Sequence, residues 1–369
     1  MNQVLKLLYI TNGIDGSGGL ERVLSIKASM LAEAPDYEVH IITLNQKGID
    51  TFFPFSEKIQ FHNLSVSGNP IQYMRAYRAA LRHAVAAINP DLISVCDDGL
   101  KGFFVPRMLN NKYHTIYERH ASVHITSGSS IISKLKNSLV HKLMMSRVRT
   151  FDRFVVLTEG NKKEWRGNNI LVIPNPISDY PAQTADLLQK RVIAVGSQSY
   201  NKGYDRLLQS WALIQKIHPD WELVVYGKKN ESLGLEQLAT DLGIHNTVTF
   251  YDPVQQITEQ YLRASIMVLP SRSEGFGMVL IEAMACGLPC VAYDCPHGPR
   301  DILTDNVDGY LIPDGDIEAF AQKIAFLMEH KERRQAFGTA ALEKSKRYDP
   351  QVIVATWKDL FRSLVAPIR

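Results

Sequence analysis

The 369 residues predict an α/β protein of two doubly wound domains, each a parallel sheet covered by helices on both faces. Short apolar runs alternate with helix-length segments, and this alternation passes twice along the chain. The length exceeds what a single core usually serves, so two domains are the default. Near the midpoint, Ile173–Thr184 (I-P-N-P-I-S-D-Y-P-A-Q-T) carries three prolines and no helical period, and reads as a linker.

In the first half, strands are expected at Leu5–Thr11, Glu38–Leu44, Leu92–Val95, His114–Tyr117 and Arg153–Leu157. Helices are expected at Leu20–Ala32, Tyr73–Ala87 and Ile131–Met145. The second half predicts strands Val192–Val195, Leu223–Tyr226, Val248–Phe250, Met267–Leu269 and Cys290–Tyr293. Its helices fall at Asp205–Ile217, Gly234–Leu242, Ile257–Arg263 and Met278–Ala285. Two last helices, Ile317–His330 and Gln351–Leu364, show apolar faces with no further strand to cover. The expected domains are 1–175 and 176–350, with 351–369 as a C-terminal helix. No internal repeat or low-complexity tract is present.

A hydrophobic content of 45% with 21% charged residues is that of a soluble globular protein. No run approaches the ~18 apolar residues of a spanning helix. The start M-N-Q-V-L-K-L-L-Y-I reads as a first strand without a signal-peptide cleavage pattern, so a cytoplasmic protein is expected. Cys96, Cys286, Cys290 and Cys295 lack C-x-x-C spacing and read as free thiols of a reducing compartment. Residues 1–175 hold 21 Lys+Arg against 14 Asp+Glu, a balance of +7; the rest, 20 against 24, carry −4. A basic first half suits an anionic partner. Ser130–Arg153 places Lys134, Lys136, Lys142, Arg147, Arg149 and Arg153 among Ile131, Ile132, Leu135, Leu139, Leu143 and Met144. Such a basic amphipathic helix suits an anionic membrane surface, and equally a solvated helix packed on its sheet. Nucleic acid would need a larger charge excess and motif support.

The densest chemistry lies in S-R-S-E-G-F-G-M-V-L-I-E-A-M-A-C-G-L-P-C-V-A, Ser271–Ala292. A strand runs through a Gly-rich turn into a helix, with Glu274 and Glu282 eight residues apart across the helix start. Gly275 and Gly277 leave the N–H groups of Gly277, Met278 and Val279 uncovered at the positive end of the helix dipole. That is a seat for phosphate flanked by acids able to accept hydroxyl hydrogen bonds, as a nucleotide sugar requires. Earlier, G-I-D-G-S-G-G-L-E-R-V (Gly13–Val23) brings Gly16, Gly18 and Gly19 to a helix start. It fits neither G-x-G-x-x-G nor a P-loop, and suits one phosphate, the close approach of a sugar, or a tight turn alone. Lys202, ahead of Gly203, stands where a cation can neutralise a departing diphosphate. His120, at the carboxyl end of a strand in I-Y-E-R-H-A-S-V-H, can bond a sugar hydroxyl, with Glu118, Arg119 and His124 as neighbouring candidates. No DxD-type cluster calls for a metal; Asp97-Asp98 reads as a strand-end pair.

Glu274 to Glu282, with Gly275-Phe276-Gly277 between them and Gly-Leu-Pro after, resembles the E-x7-E motif of retaining GT-B glycosyltransferases of the family 4 group. The loop Gly18-Gly19-x-Glu21-Arg22-Val23 is similar to that group's G-G-x-E-R-V loop over the donor phosphates. Cys295–Leu303 (C-P-H-G-P-R-D-I-L) resembles its C-P-x-G-P-x-E-I-L loop, with Asp301 for the usual glutamate and His297 and Arg300 in reach. The resemblance implies the GT-B fold: two Rossmann-like domains facing across a central cleft, the last helix crossing back to the first. It implies Lys202 on the diphosphate, Glu274 on sugar hydroxyls, Glu282 on the ribose diol and His120 on the donor sugar. Loops at Gly227 and Val254 would flank the base. Ser197 stands where the family usually has a second diphosphate-gripping arginine, and Arg206, one turn beyond Lys202, is not assumed to replace it. The implied activity is metal-independent transfer, without cofactor, of a hexose or N-acetylhexosamine from a nucleotide sugar, UDP-linked first. The implied acceptor is a lipid-linked saccharide at the inner membrane face. An epimerase or hydrolase of the same fold, or a silent sugar-binding partner subunit, are the alternatives.

Overall fold

The computed structural model describes residues 4–46, 48, 51–97, 99–120, 131–178 and 180–365, and of 131–137 the backbone alone. The chain divides into two compact units, one reaching to Pro176 and resuming at Pro350, the other spanning Ile177–Asp349.

The first unit runs β1 (Leu5–Ile10), α1 (Gly19–Glu33), β2 (Tyr37–Leu44), β3 (Gln60–Leu64), α2 (Pro70–Ile88), β4 (Leu92–Val95), α3 (Val105–Met108), β5 (His114–Glu118), α4 (Ile131–Arg147), β6 (Arg153–Val156), α5 (Glu159–Lys163) and β7 (Ile170–Val172). All its strands are parallel, in the order β3-β2-β1-β4-β5-β6-β7. Side chains alternate between two cores, which is why the strands read as unbroken apolar runs. Leu8 and Ile10 face Tyr77, Leu81 and Val85 of α2. Leu7 and Tyr9 face Leu24, Ala28 and Leu31 of α1, with Trp357 and Phe361 of the last helix, Pro350–Val365.

The second unit runs β8 (Arg191–Val195), α6 (Tyr204–Gln215), β9 (Glu222–Tyr226), α7 (Leu235–Asp241), β10 (Val248–Tyr251), α8 (Ile257–Leu262), β11 (Ile266–Leu269), α9 (Met278–Ala285), β12 (Cys290–Tyr293), α10 (Pro299–Ile302), β13 (Gly309–Ile312), α11 (Ile317–Glu329) and α12 (Lys331–Ser345). Its parallel sheet has the order β10-β9-β8-β11-β12-β13. In each sheet the order reverses once, at β1/β4 and at β8/β11. Ligands of open α/β sheets bind beyond the strand carboxyl ends at such a point.

Three strands, β3, β7 and β13, and the helices α3, α5, α10 and α12 were not expected from the sequence. All three strands are edges. Q-F-H-N-L of β3 buries only Leu64 fully, because an edge strand pairs on one side and needs little apolar cover. The expectation that Ile317–His330 has no strand to cover is corrected: Phe320, Ile324 and Leu327 of α11 pack into the second core with Tyr310 and Ile312 of β13. Cys96, Cys286, Cys290 and Cys295 are all buried. No helix of the described residues is long and apolar enough to cross a membrane.

Candidate active site

At the β8/β11 switch the two loops are held together through backbone. Gly203, at φ +65°, lies so near the end of β11 that a Cβ there would be 2.1 Å from the Pro270 carbonyl oxygen. Only glycine fits both that gap and that backbone. Arg272 N–H donates to the Asn201 carbonyl at 2.7 Å, and Arg206 Nη2 to the Pro270 carbonyl at 2.9 Å. This fixes the 3-10 turn Tyr200–Lys202 beside the Glu274 loop.

Lys202 Nζ donates to Glu274 Oε1 at 2.7 Å, and Ser271 Oγ donates to the same oxygen at 2.6 Å. Glu274 is nearly covered, whereas Lys202 keeps 23% of its side chain exposed. The pair therefore opens to solvent on its cationic side. Gly277, at φ +99°, turns the chain into α9, whose first N–H groups have no acceptor within the helix. At the far end Gly287 N–H bonds Met284 O and Leu288 N–H bonds Ala283 O, a Schellman stop that explains the Gly-Leu-Pro. Glu282 lies within α9, buried, with the Tyr261 hydroxyl of α8 3.3 Å from Oε2. Phe276 is buried edge-on against Tyr348. Gly275 lies in the bend ahead of the helix, and Met278 and Val279 form its first turn.

The Cys295–Leu303 loop packs beneath this seat. A Cβ on Gly298 would be 2.2 Å from the Phe276 carbonyl oxygen, and Glu274 N–H reaches the Pro296 carbonyl at 3.5 Å. Burial, and then the Glu274 charge, push the Cys295 thiol up, so it stays neutral. Arg300 is held by Asp294 and His297 sits at φ +62°. Ser197 is exposed after Gly196. Arg206 does not take its place: the guanidinium is committed to Pro270, to Asp314 at 2.7 Å and to the Tyr293 ring at 4.4 Å. Gly227 meets Gly196 backbone to backbone, a Cβ there falling 1.9 Å from the Gly196 oxygen. Val254 follows β10, where Tyr251 stacks on Tyr226 at 4.8 Å.

In the first unit, the glycine loop after β1 leads to α1, with Gly18 as N-cap. Glu21 folds back over it: Cβ atoms on Gly16 or Gly18 would each lie 2.6 Å from a Glu21 carboxylate oxygen. Gly19 opens the helix. Asp97 accepts from Asn12 Nδ2 at 2.8 Å and Gly99 N–H at 2.7 Å, a hub at the β4 end; Asp98 lies outside the described residues. His120 Nε2 is 3.3 Å from Glu118 Oε2. Glu118 is fully buried and paired with Lys27, and Arg119 lies over the Trp165 ring. His124 and residues 121–130 lie outside the described residues, as do the side chains of Ile131, Ile132, Lys134, Leu135 and Lys136. Of the rest of α4, Met144 is buried, Leu139 is 70% exposed and Arg147 lies over Phe104.

Sequence reasoning missed Ser271, although S-x-x-E is a helix-entry signature; its hydroxyl bonds the glutamate instead. It also missed the Arg272–Asp205 pair (2.8 and 2.5 Å), which secures the start of α6.

The sequence and the fold match known proteins. A family model described as glycosyl transferases group 1 matches residues 181–344. An uncharacterized glycosyltransferase of Haemophilus influenzae is 30% identical over 364 residues, covering 96% of this chain and 99% of that protein. The amylovoran biosynthesis glycosyltransferase AmsD of Erwinia amylovora is 28% identical, over 96% and 99%. Among solved structures, sucrose-phosphate synthase of Thermosynechococcus elongatus superposes with TM-score 0.85 at 19% identity over 98% and 99% of the chains. Anabaena HepE in complex with UDP-glucose gives 0.79 at 18%, over 98% and 100%. The architecture is thus the GT-B fold. The chain belongs to the group 1 glycosyl transferases and is a glycosyltransferase enzyme.

Proposed function

We propose that this enzyme transfers a hexose or N-acetylhexosamine from a UDP-sugar to a lipid-linked saccharide, with retention at the anomeric carbon and without a metal. The Lys202–Glu274 pair beside the N-terminus of α9 carries this reading. Its ammonium is poised to exchange a carboxylate for the donor diphosphate, and the first-turn N–H groups of Gly277 to Val279 share that charge. Glu274, released from Lys202, accepts hydroxyls of the donor sugar. Glu282 serves the ribose diol, and Gly227 and Val254 flank the base. His120 of the first unit takes a donor-sugar hydroxyl. Around the Gly18-Gly19 loop the Glu21 carboxylate favours hydroxyls over phosphate, since two anions there repel. In the transfer, the bond from the anomeric carbon to phosphate oxygen breaks. A bond to the acceptor oxygen forms on the same face, and the acceptor proton passes to the departing phosphate.

UDP as the nucleotide is supported by HepE and by the Staphylococcus aureus TarM structure, both described with UDP. A surface saccharide as product is supported by the amylovoran enzyme and by the lipopolysaccharide galactosyltransferase of Salmonella typhimurium. The exposed Leu139 and Lys142 of α4 suit a peripheral station on anionic lipid. The test is calorimetry with UDP, GDP, ADP and their sugar conjugates, repeated in EDTA. UDP-selective binding that survives EDTA is expected, together with pelleting on anionic vesicles at low salt. Binding to none of them would favour a silent partner subunit, the reading to which Ser197 points.

A further inference from the structure

The first unit holds a buried chain of charge of which the scheme above uses only the last member. Lys27 falls on the buried stripe of α1 with Val23, Leu24, Ala28 and Leu31. Its ammonium bonds Glu118 Oε2 and lies 4.0 Å from the Trp357 ring centroid and 5.1 Å from that of Tyr9. Ser94 Oγ of β4 donates to Glu118 Oε1 at 2.6 Å, and His120 Nε2 reaches Oε2 at 3.3 Å. The Lys27 and Glu118 side chains are 1% and 2% exposed, so bulk water does not reach the pair.

Cys96, Glu118 and His120 offer three donor atoms within 4.8 Å of one another, a spacing that a metal ion can bridge. Lys27 already occupies Glu118, however, and a second cation there would meet it away from bulk solvent, where the repulsion is poorly screened. The lysine is the cation of this cluster. Burial alone would raise the Glu118 carboxyl; the Lys27 charge and the His120 hydrogen bond outweigh it and hold the group at about 2. An ionised carboxylate can only accept, so Nε2 of His120 carries the proton.

We propose that Lys27 is a positioning residue for sugar transfer, acting through Glu118 to fix the ring orientation and the Nε2–H form of His120. This rests on the assignment of His120 to the donor sugar. Trp357 closes the far side of the ammonium, so the last helix takes part in holding the histidine. Misplacing a reacting-centre group by an ångström can cost about a hundredfold in rate, which sets the upper range for a loosened imidazole.

The test compares wild type, Lys27→Met, the double variant Lys27→Met/Glu118→Gln and His120→Ala. Transfer kinetics and UDP affinity are measured on each, and the 15N spectrum of the His120 ring on the three that keep it. In Lys27→Met, burial no longer opposed by the ammonium drives Glu118 toward its neutral form, which can donate as well as accept, so the turnover should fall with UDP affinity unchanged and the ring should shift from the Nε2–H form to a mixture. If the single variant does not fold, the double variant serves, because it removes both buried charges together. Its amide at position 118 can accept or donate and so no longer selects a tautomer. A folded variant that keeps the single Nε2–H form, or that shows the mixture with wild-type turnover, overturns the proposal. Wild-type turnover in His120→Ala would instead remove His120 from the donor site, while the ring spectrum still judges what Lys27 does to it.

Discussion

Each unit contains a lysine–glutamate pair near the carboxyl ends of its central strands, and the two pairs are built for opposite ends. Lys27–Glu118 is sealed: ring faces cover the ammonium, and a serine and a histidine fill the carboxylate. Lys202–Glu274 is half open, its carboxylate held by Ser271 while its ammonium faces solvent. A sealed pair cannot exchange partners without leaving an unpaired buried charge, so it fixes geometry. The open pair can give up its internal partner when a stronger anion arrives. Solvent access on one side separates a positioning device from a binding one.

The largest effect that tests this contrast is on the fold. Lys27→Met leaves a buried carboxylate unpaired and should cost about 3–5 kcal/mol, with the double variant Lys27→Met/Glu118→Gln recovering most of it. The pair also sets an acid limit. The folded Glu118 carboxyl, at about 2, lies below its unfolded value, so its contribution is fully present above about pH 4.5 and is lost as pH falls through 2. Across that window roughly 3 kcal/mol of stability is lost. Urea unfolding of wild type and double variant from neutral pH downward measures both. Equal acid slopes would show that Glu118 is not held by Lys27.

The open pair should behave in the reverse manner. Lys202→Ala or Glu274→Ala should lower transfer by about a hundredfold to a thousandfold, as removal of a transition-state donor does. The thermal midpoint should barely move, because a pair exposed on one side contributes no more than ~1 kcal/mol. A large drop in midpoint with transfer preserved would reverse the roles given to the two pairs.

How far the sequence discloses these sites follows the same division. The open site was legible because its parts lie within one stretch: Glu274, Gly275, Gly277 and Glu282 fall across one strand-turn-helix. Lys202 was found by its place at the next helix mouth. The contact between Lys202 and Glu274 was not legible, since it depends on Gly203 passing against Pro270, 67 positions further along. Of the sealed pair, Glu118 was named only as a neighbour of His120, and its pairing with Lys27 was missed. Its partners are 91 residues apart, and Lys27 looks like one more surface lysine until its place on the apolar stripe of α1 is noticed. The central strands were clear because burial on both faces makes them uniformly apolar, whereas the edge β3 carries polar residues at most positions and the edges β7 and β13 are apolar runs too short to stand out.

The smallest expected effect sharpens the contrast at Ser197. This exposed residue follows Gly196, whose Cα lies against the Lys202 side chain, a Cβ there falling 3.2 Å from Lys202 Cε. If the open pair is where the diphosphate binds, Ser197→Arg adds a second cation beside the first. An exposed charge near a phosphate gains little in water, about 1 kcal/mol or less, so UDP should bind only a few-fold tighter, and less so as salt is added. The variant disturbs nothing buried, and Arg206 cannot compete for the new role because Asp314, Pro270 and Tyr293 already hold it. Calorimetry of UDP with both proteins at low and high salt decides the matter. A salt-sensitive gain places the diphosphate beside Lys202; identical affinities at low salt would move it away from position 197, and with it the reading of Lys202 as the cation that receives the leaving group.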